Sequence, residues 1–180
     1  MGGQEKFIGR LDSLFIAESK IEGPLVSPDI SGLIGQYAHG NEPSHHIVHL
    51  YNYVNQSWKT QQLIDTILHT QYFNNPNGLS GNEDCGQMSA WYVLNAMGFY
   101  QVCPGSPIYS VGRPIFDKVT INLPNGKVFE IIANNNSRTN KYIQSIRLDN
   151  ILLESPFFMH SDIMKGGKIV MEMGNTPVKQ

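Results

Sequence analysis

Two short stretches hold the residues best suited to chemistry, Gly40-Asn41-Glu42-Pro43-Ser44-His45-His46 and Gly81-Asn82-Glu83-Asp84-Cys85-Gly86-Gln87. Each sits where a loop meets the start of a helical pattern, a place where side chains and backbone amides can converge on a ligand without being consumed by a core. The first offers an amide, a carboxylate and two imidazoles. The second places Glu83 and Asp84 side by side at a helix start, where the helix dipole favours the ionised carboxylate and so a base over an acid. Hard oxygen donors such as the Asn41 amide and the Glu42 carboxylate suit calcium better than a transition metal, and an ion held there could grip a vicinal diol.

Structural roles compete with these assignments. Asp or Asn ahead of a helix commonly serves as an N-cap, so either cluster taken alone also fits a purely architectural part. His45 and His46 are adjacent and point in different directions on a helix, which assigns one of them to packing. His49 stands four residues after His45, the spacing of a zinc pair, but no third ligand of an HExxH pattern accompanies it. Cys85 beside Asp84 makes a poor nucleophile, because neighbouring carboxylate charge raises a thiol's pKa. Tyr37, Trp58, Trp91 and Tyr92 could stack on a sugar face, although the spacing of Trp91 and Tyr92 is that of a core stripe.

The elements that must position these residues divide by periodicity near residue 104. Phe7, Ile8, Leu11, Leu14 and Phe15 form the stripe of a first helix. The stretch from Glu22 to Gly40, with Pro24, Pro28 and several glycines, reads as a long irregular loop. A second helix is predicted from near Pro43, with Ile47, Leu50, Tyr51 and Val54 buried, and a third is capped by Ser57 and carries Trp58, Leu63, Ile64, Ile67 and Leu68. A fourth starts around Gly86, shows Met88, Trp91, Tyr92, Leu94 and Met97, and stops at Gly98. Beyond Pro104 the period becomes two: Val119 to Leu123, a Pro124-Asn125-Gly126 turn and Val128 to Ile132 form a hairpin. Further strands are predicted at Tyr142 to Leu148, Ile151 to Leu153 and Lys168 to Met173. The fold class is therefore α+β, a helical half over residues 1–103 followed by an antiparallel β-sandwich-like half over 104–180.

Composition narrows the partners. The 180 residues are 41% hydrophobic with a net charge of -2 and no dense basic run, so nucleic acid is not an expected partner. No apolar run approaches the ~20 residues that span a bilayer, and no signal peptide is visible at the start. Cys85 and Cys103 are separated largely by helix and are expected to be free thiols.

The strings GNEPSHHIVHLYNYVNQSWKTQ, GLSGNEDCGQMSAWYVLNAMGFYQVCPGSPIYSVGRPIFDKVTINLPNGK and HSDIMKGGKIVMEMG resemble, in this order, the end of glycoside hydrolase family 92. Members are calcium-dependent α-mannosidases that act with inversion, built from an amino-terminal β-sandwich and an (α/α)6 barrel, and are several times longer than this chain. The resemblance implies that residues 1–103 are the last helices of the barrel and 104–180 the β segment after it. It implies Asp84 as general base in the GN(D/E)DxG motif, with Glu83 or Asn82 in a supporting place. Glu42 and His45 of the GNEPxH motif, with Asn82, are expected contacts of a terminal mannose. Asn41 and Glu42 are the expected calcium donors. The general acid of the family has no counterpart motif here, which implies an inactive or nearly inactive chain on its own. The implied activity is exo-acting hydrolysis of terminal α-1,2-mannosides of N-glycans or mannans in a bacterium, by a periplasmic, secreted or cell-surface enzyme whose partners are a mannose-containing oligosaccharide and the remainder of its own polypeptide. The alternative is a non-catalytic carbohydrate-binding module.

Overall fold

The structure, a computed structural model, describes residues 2–23, 27 and 30–179. Pro24 and Pro28 of the expected loop lie outside the described residues. The first helix, α1 (Gln4–Ile16), turns Leu11 inward and lays Phe15 5.1 Å from the Tyr37 ring and 6.2 Å from that of Tyr51. The loop then makes a small antiparallel pair, β1 (Leu33–Ile34) and β2 (Tyr37–Ala38).

The second predicted helix is present as 3-10 helix, in two pieces, Glu42–Ser44 and Ile47–Val54. At three residues per turn, Val48, Tyr51 and Val54 stack along one edge and His49 and Asn52 along the next, and all five are buried. The expected stripe was therefore right at Tyr51 and Val54, while Ile47 and Leu50 are only half-buried. The reason is tertiary: two polar side chains go inside because they have partners there.

Helix α2 (Ser57–Thr70) buries Ile64, Ile67 and Leu68. Its N-cap is Gln56 rather than the expected Ser57, which is the first helical residue. Helix α3 (Gln87–Met97) buries Met88, Trp91, Asn95 and Ala96 and ends at Gly98.

After α3 the chain forms β3 (Phe99–Tyr100), β4 (Ile108–Val111), β5 (Lys118–Asn122), β6 (Val128–Asn134), β7 (Tyr142–Leu148), β8 (Ile151–Leu152), β9 (Phe157–Met159), the short helix α4 (His160–Met164) and β10 (Gly167–Gly174). One sheet has the order β5-β6-β10-β7-β8 and another β3-β4-β9. The β5–β6 hairpin closes with Lys118 opposite Ile132 and Asn122 opposite Val128. One pair departs from the antiparallel expectation: β10 enters between β6 and β7 and runs parallel to β6, with Ile169 beside Ile131. A strand inserted from the end of the chain is free to take this direction because no tight turn joins it to its neighbour.

A single apolar cluster joins the two sheets, with Phe99, Val111 and Phe158 from one meeting Phe129, Ile131, Ile169 and Met171 from the other. Polar ties bind this β part to the helices. Arg113, following β4, sets its Nε 3.2 Å from Asp65 Oδ1 of α2, and the Ile143 amide donates to Gln61 Oε1 at 3.0 Å.

Candidate active site

The two polar clusters meet because their leading residues are glycines. A first side-chain carbon on Gly40 would lie 2.9 Å from the Ser80 carbonyl oxygen, and one on Gly81 would lie 3.2 Å from the Gly40 carbonyl oxygen. The two loops thus cross backbone against backbone, and any larger residue at either position would hold them apart.

His45 sits at this crossing and is buried. Its Nε2 lies 2.9 Å from the His39 carbonyl, so that nitrogen carries the proton and donates. Its Nδ1 accepts from Gln87 Nε2 at 3.1 Å, and its backbone carbonyl accepts from Trp91 Nε1 at 3.1 Å. Both ring nitrogens are spent inside the protein. Burial lowers the His45 pKa, opposed by the hydrogen bond to His39 and by the charges of Glu42 and Asp84. The neighbouring His39 is still more strongly held neutral, pushed down to about 3 by burial, and its ring bonds the hydroxyls of Tyr37 and Tyr72.

A cleft of about 480 Å³ opens at the crossing, its wall formed by Asn41, Glu42, His45, Gln87, Tyr100 and Gln101 among others. Glu42 is exposed at the start of the 3-10 turn, and Asn41 is half-buried beside it. Asp84 and Cys85 occupy left-handed backbone at φ 54 and φ 55, unusual for side-chain-bearing residues and worth roughly 1–2 kcal/mol of strain each. The Asp84 carbonyl accepts the Gln87 amide at 3.1 Å, so this tight turn launches α3 and sets Asp84 and Gln87 on consecutive corners.

The adjacent carboxylate has a different place. Glu83 Oε1 accepts the backbone N–H of Ser89 at 3.0 Å and so caps the first turn of α3. Asn82 is exposed on the turn. Trp91 is wholly buried and serves the core rather than a ligand face. His49 is also buried, donating from Nε2 to Asn95 Oδ1 at 2.9 Å and accepting at Nδ1 from Ser110 Oγ at 3.1 Å. Cys85 and Cys103 are free and exposed. Among the described residues no group of three or more His, Cys, Asp or Glu side chains is placed to hold a metal. No helix among the described residues is long and apolar enough to cross a membrane. Sequence patterns did not single out Gln87, Tyr100 or Gln101. Gln87 at least follows Asp84 by three positions in the same string, whereas Tyr100 reaches the cleft only through the turn after α3.

Residues 1–175 match the family described as Glycosyl hydrolase family 92 catalytic domain, and the chain belongs to that family. It is similar to the family GH92 α-mannosidase BT3965 from Bacteroides thetaiotaomicron in complex with mannoimidazole, with 43% identity and a TM-score of 0.92 over 98% of this chain and 23% of that one. It is also similar to the family GH92 inverting mannosidase BT2199 from Bacteroides thetaiotaomicron VPI-5482, with 39% identity and a TM-score of 0.83 over 98% of this chain and 25% of that one. A curated relative, an uncharacterized secreted glycosidase of Arthroderma benhamiae, is 27% identical over 97% of this chain and 21% of its own length. The chain thus spans about a quarter or less of the relatives it matches.

Proposed function

We propose that the full-length protein is an exo-acting α-mannosidase that removes terminal α-1,2-linked mannose from N-glycans or mannans with inversion. The observation that carries this is the convergence of the two family motifs, whose loops cross at Gly40 and Gly81 and are tied by the 3.1 Å hydrogen bond from Gln87 to His45. The relatives support the substrate class, one being a mannosidase bound to mannoimidazole and another an inverting mannosidase. On this reading residues 1–103 are closing helices of an (α/α)6 barrel, residues 104–180 are the sandwich-like segment after it, and the enzyme is exported, as the name of the fungal relative suggests for that protein.

In an inverting glycosidase one carboxylic acid protonates the leaving oxygen while a carboxylate base takes a proton from the attacking water, the two standing roughly 6.5–9.5 Å apart. Asp84 is assigned the base, on the turn that launches α3 and whose last corner, Gln87, lines the cleft. Glu83, engaged at the α3 amide, is assigned a supporting role. Glu42 and Asn82 are assigned hydrogen bonds to the terminal mannose, and His45 forms the buried wall of the same subsite. The acid comes from the remainder of the polypeptide.

The donors Asn41 and Glu42 fit calcium in type but not in number, since calcium takes 6–8 oxygens. They would hold the ion together with sugar oxygens and donors from outside this chain, and when bound it supplies a charge that grips neighbouring hydroxyls.

The test is made on the full-length enzyme with an α-1,2-mannobioside. Asp84→Asn should lower kcat by roughly 10²- to 10⁴-fold, the usual worth of a general base, while circular dichroism and inhibitor binding stay near wild type. Wild-type turnover should release β-mannose first by NMR. Near-normal kcat in Asp84→Asn would remove the base assignment.

A further inference from the structure

The geometry points to Gln87 as a specificity residue that accepts a hydrogen bond from one hydroxyl of the bound sugar, an inference resting on the glycosidase reading above. The argument begins at a backbone carbonyl. The His39 oxygen, 2.9 Å from His45 Nε2, can only accept, so the proton of the neutral ring sits on Nε2 and Nδ1 presents a lone pair. That lone pair faces the Gln87 side chain at 3.1 Å and therefore requires its NH₂ end. The second amide proton points to the Tyr100 hydroxyl at 3.3 Å. With both protons directed into the protein, the atom Gln87 can turn to the cleft it lines is the carbonyl Oε1, an acceptor.

The orientation is well buttressed. Tyr100 is stacked on the buried His49 ring, centroids 5.3 Å apart and planes 23° apart, and His49 is itself fixed between Asn95 and Ser110. The Gln87 backbone is fixed by its own N–H, which donates a hydrogen bond to the Asp84 carbonyl. An acceptor held in this way cannot flip to become a donor without breaking two hydrogen bonds, so it distinguishes a hydroxyl from a group that has no proton to give. It stands three residues from the Asp84 base and, as an acceptor lining the cleft, reads the sugar rather than the water-activating step.

The experiment uses the full-length enzyme and aryl α-mannosides in which each ring hydroxyl in turn is replaced by hydrogen or by fluorine. Fluorine keeps weak acceptor character but cannot donate. At one position the wild type should lose roughly 10- to 100-fold in kcat/KM for both replacements. In Gln87→Leu, similar in volume, that position should lose its special penalty while the others keep theirs. Electronic slowing of the chemistry by fluorine is common to both enzymes and cancels in the ratio. Tyr100→Phe, which removes one anchor and keeps the stacked ring, should weaken the same discrimination to a smaller extent, and it serves if Gln87→Leu does not fold. If wild type turns over mannosides but the variants retain its penalty at every position, the inference is overturned. If wild type does not cleave any α-mannoside, the glycosidase reading is what fails.

Discussion

At the scale of single residues the site is a division of labour between side chains of like chemistry. Glu83 and Asp84 are neighbours, yet the Glu83 carboxylate is bonded to the Ser89 amide while Asp84 sits on left-handed backbone and its charge favours the protonated His45 ring, against burial. A capping carboxylate and the proposed base should respond differently to removal. Glu83→Ala should cost about 1 kcal/mol of stability, as loss of a helix cap does, and change kcat by less than about ten-fold. Thermal melting and steady-state kinetics of the full-length enzyme measure the two effects separately. A hundred-fold loss of kcat with an unchanged melting temperature would return Glu83 to the chemistry.

At the scale of elements the segment Ile47–Val54 ties helices to sheets. Asn52 Nδ2 donates to Ser110 Oγ at 2.7 Å, Ser110 donates to His49 Nδ1, His49 donates to Asn95 Oδ1, and Asn95 Nδ2 donates to the Trp91 carbonyl at 2.9 Å. Burial, only partly offset by the Asn95 bond, pushes His49 down to about 4. The folded protein then binds fewer protons than the unfolded chain between about pH 4 and 6.5, so the stability contributed by neutral His49 is whole above 6.5 and drains away toward 4. Over that window it amounts to roughly 3 kcal/mol, at about 1.4 kcal/mol per pH unit. The melting-temperature deficit of His49→Gln relative to wild type should therefore be larger at pH 7 than at pH 4.5, by differential scanning calorimetry. An equal deficit at both would show that His49 does not titrate with folding. This element also marks how far sequence reaches. The hairpin of β5 and β6 and the helices around Leu11, Ile64 and Trp91 were legible because period and turn residues are local signals. The 3-10 geometry was not, because it depends on His49 and Asn52 finding Ser110 some sixty positions away. The parallel β6–β10 pairing and the part of Gln87 are hidden for the same reason, since each is created by a contact and not by spacing. The loops of Glu42 and Asp84 were legible as long ordered strings, and only their crossing needed coordinates.

At the scale of the whole molecule, the chain covers about a quarter or less of its solved relatives, and on the proposed reading what it supplies is completed by the rest of the polypeptide. Apolar side chains stand out from it, Ile16 at 82% exposure and Ile151 at 71%. The proposed cation requirement follows the same logic. Asn41 and Glu42 offer two oxygen-bearing side chains at one turn, and among the described residues no trio of acidic, cysteine or histidine ligands is gathered. A hard cation with 6–8 oxygens gains most of its binding from donors brought together by the complete fold and by the sugar's own hydroxyls. Calcium affinity and sugar affinity should then be linked, each raising the other by the same factor. In the full-length enzyme, exhaustive EGTA treatment should abolish turnover and weaken binding of a mannose-like inhibitor, and added calcium should restore both. Glu42→Gln should shift the calcium concentration needed for half-restoration upward by roughly ten-fold or more, the order expected when one charged ligand is lost. Activity that survives chelation undiminished would take calcium out of the mechanism, and an unchanged calcium requirement in Glu42→Gln would move the ion away from this turn.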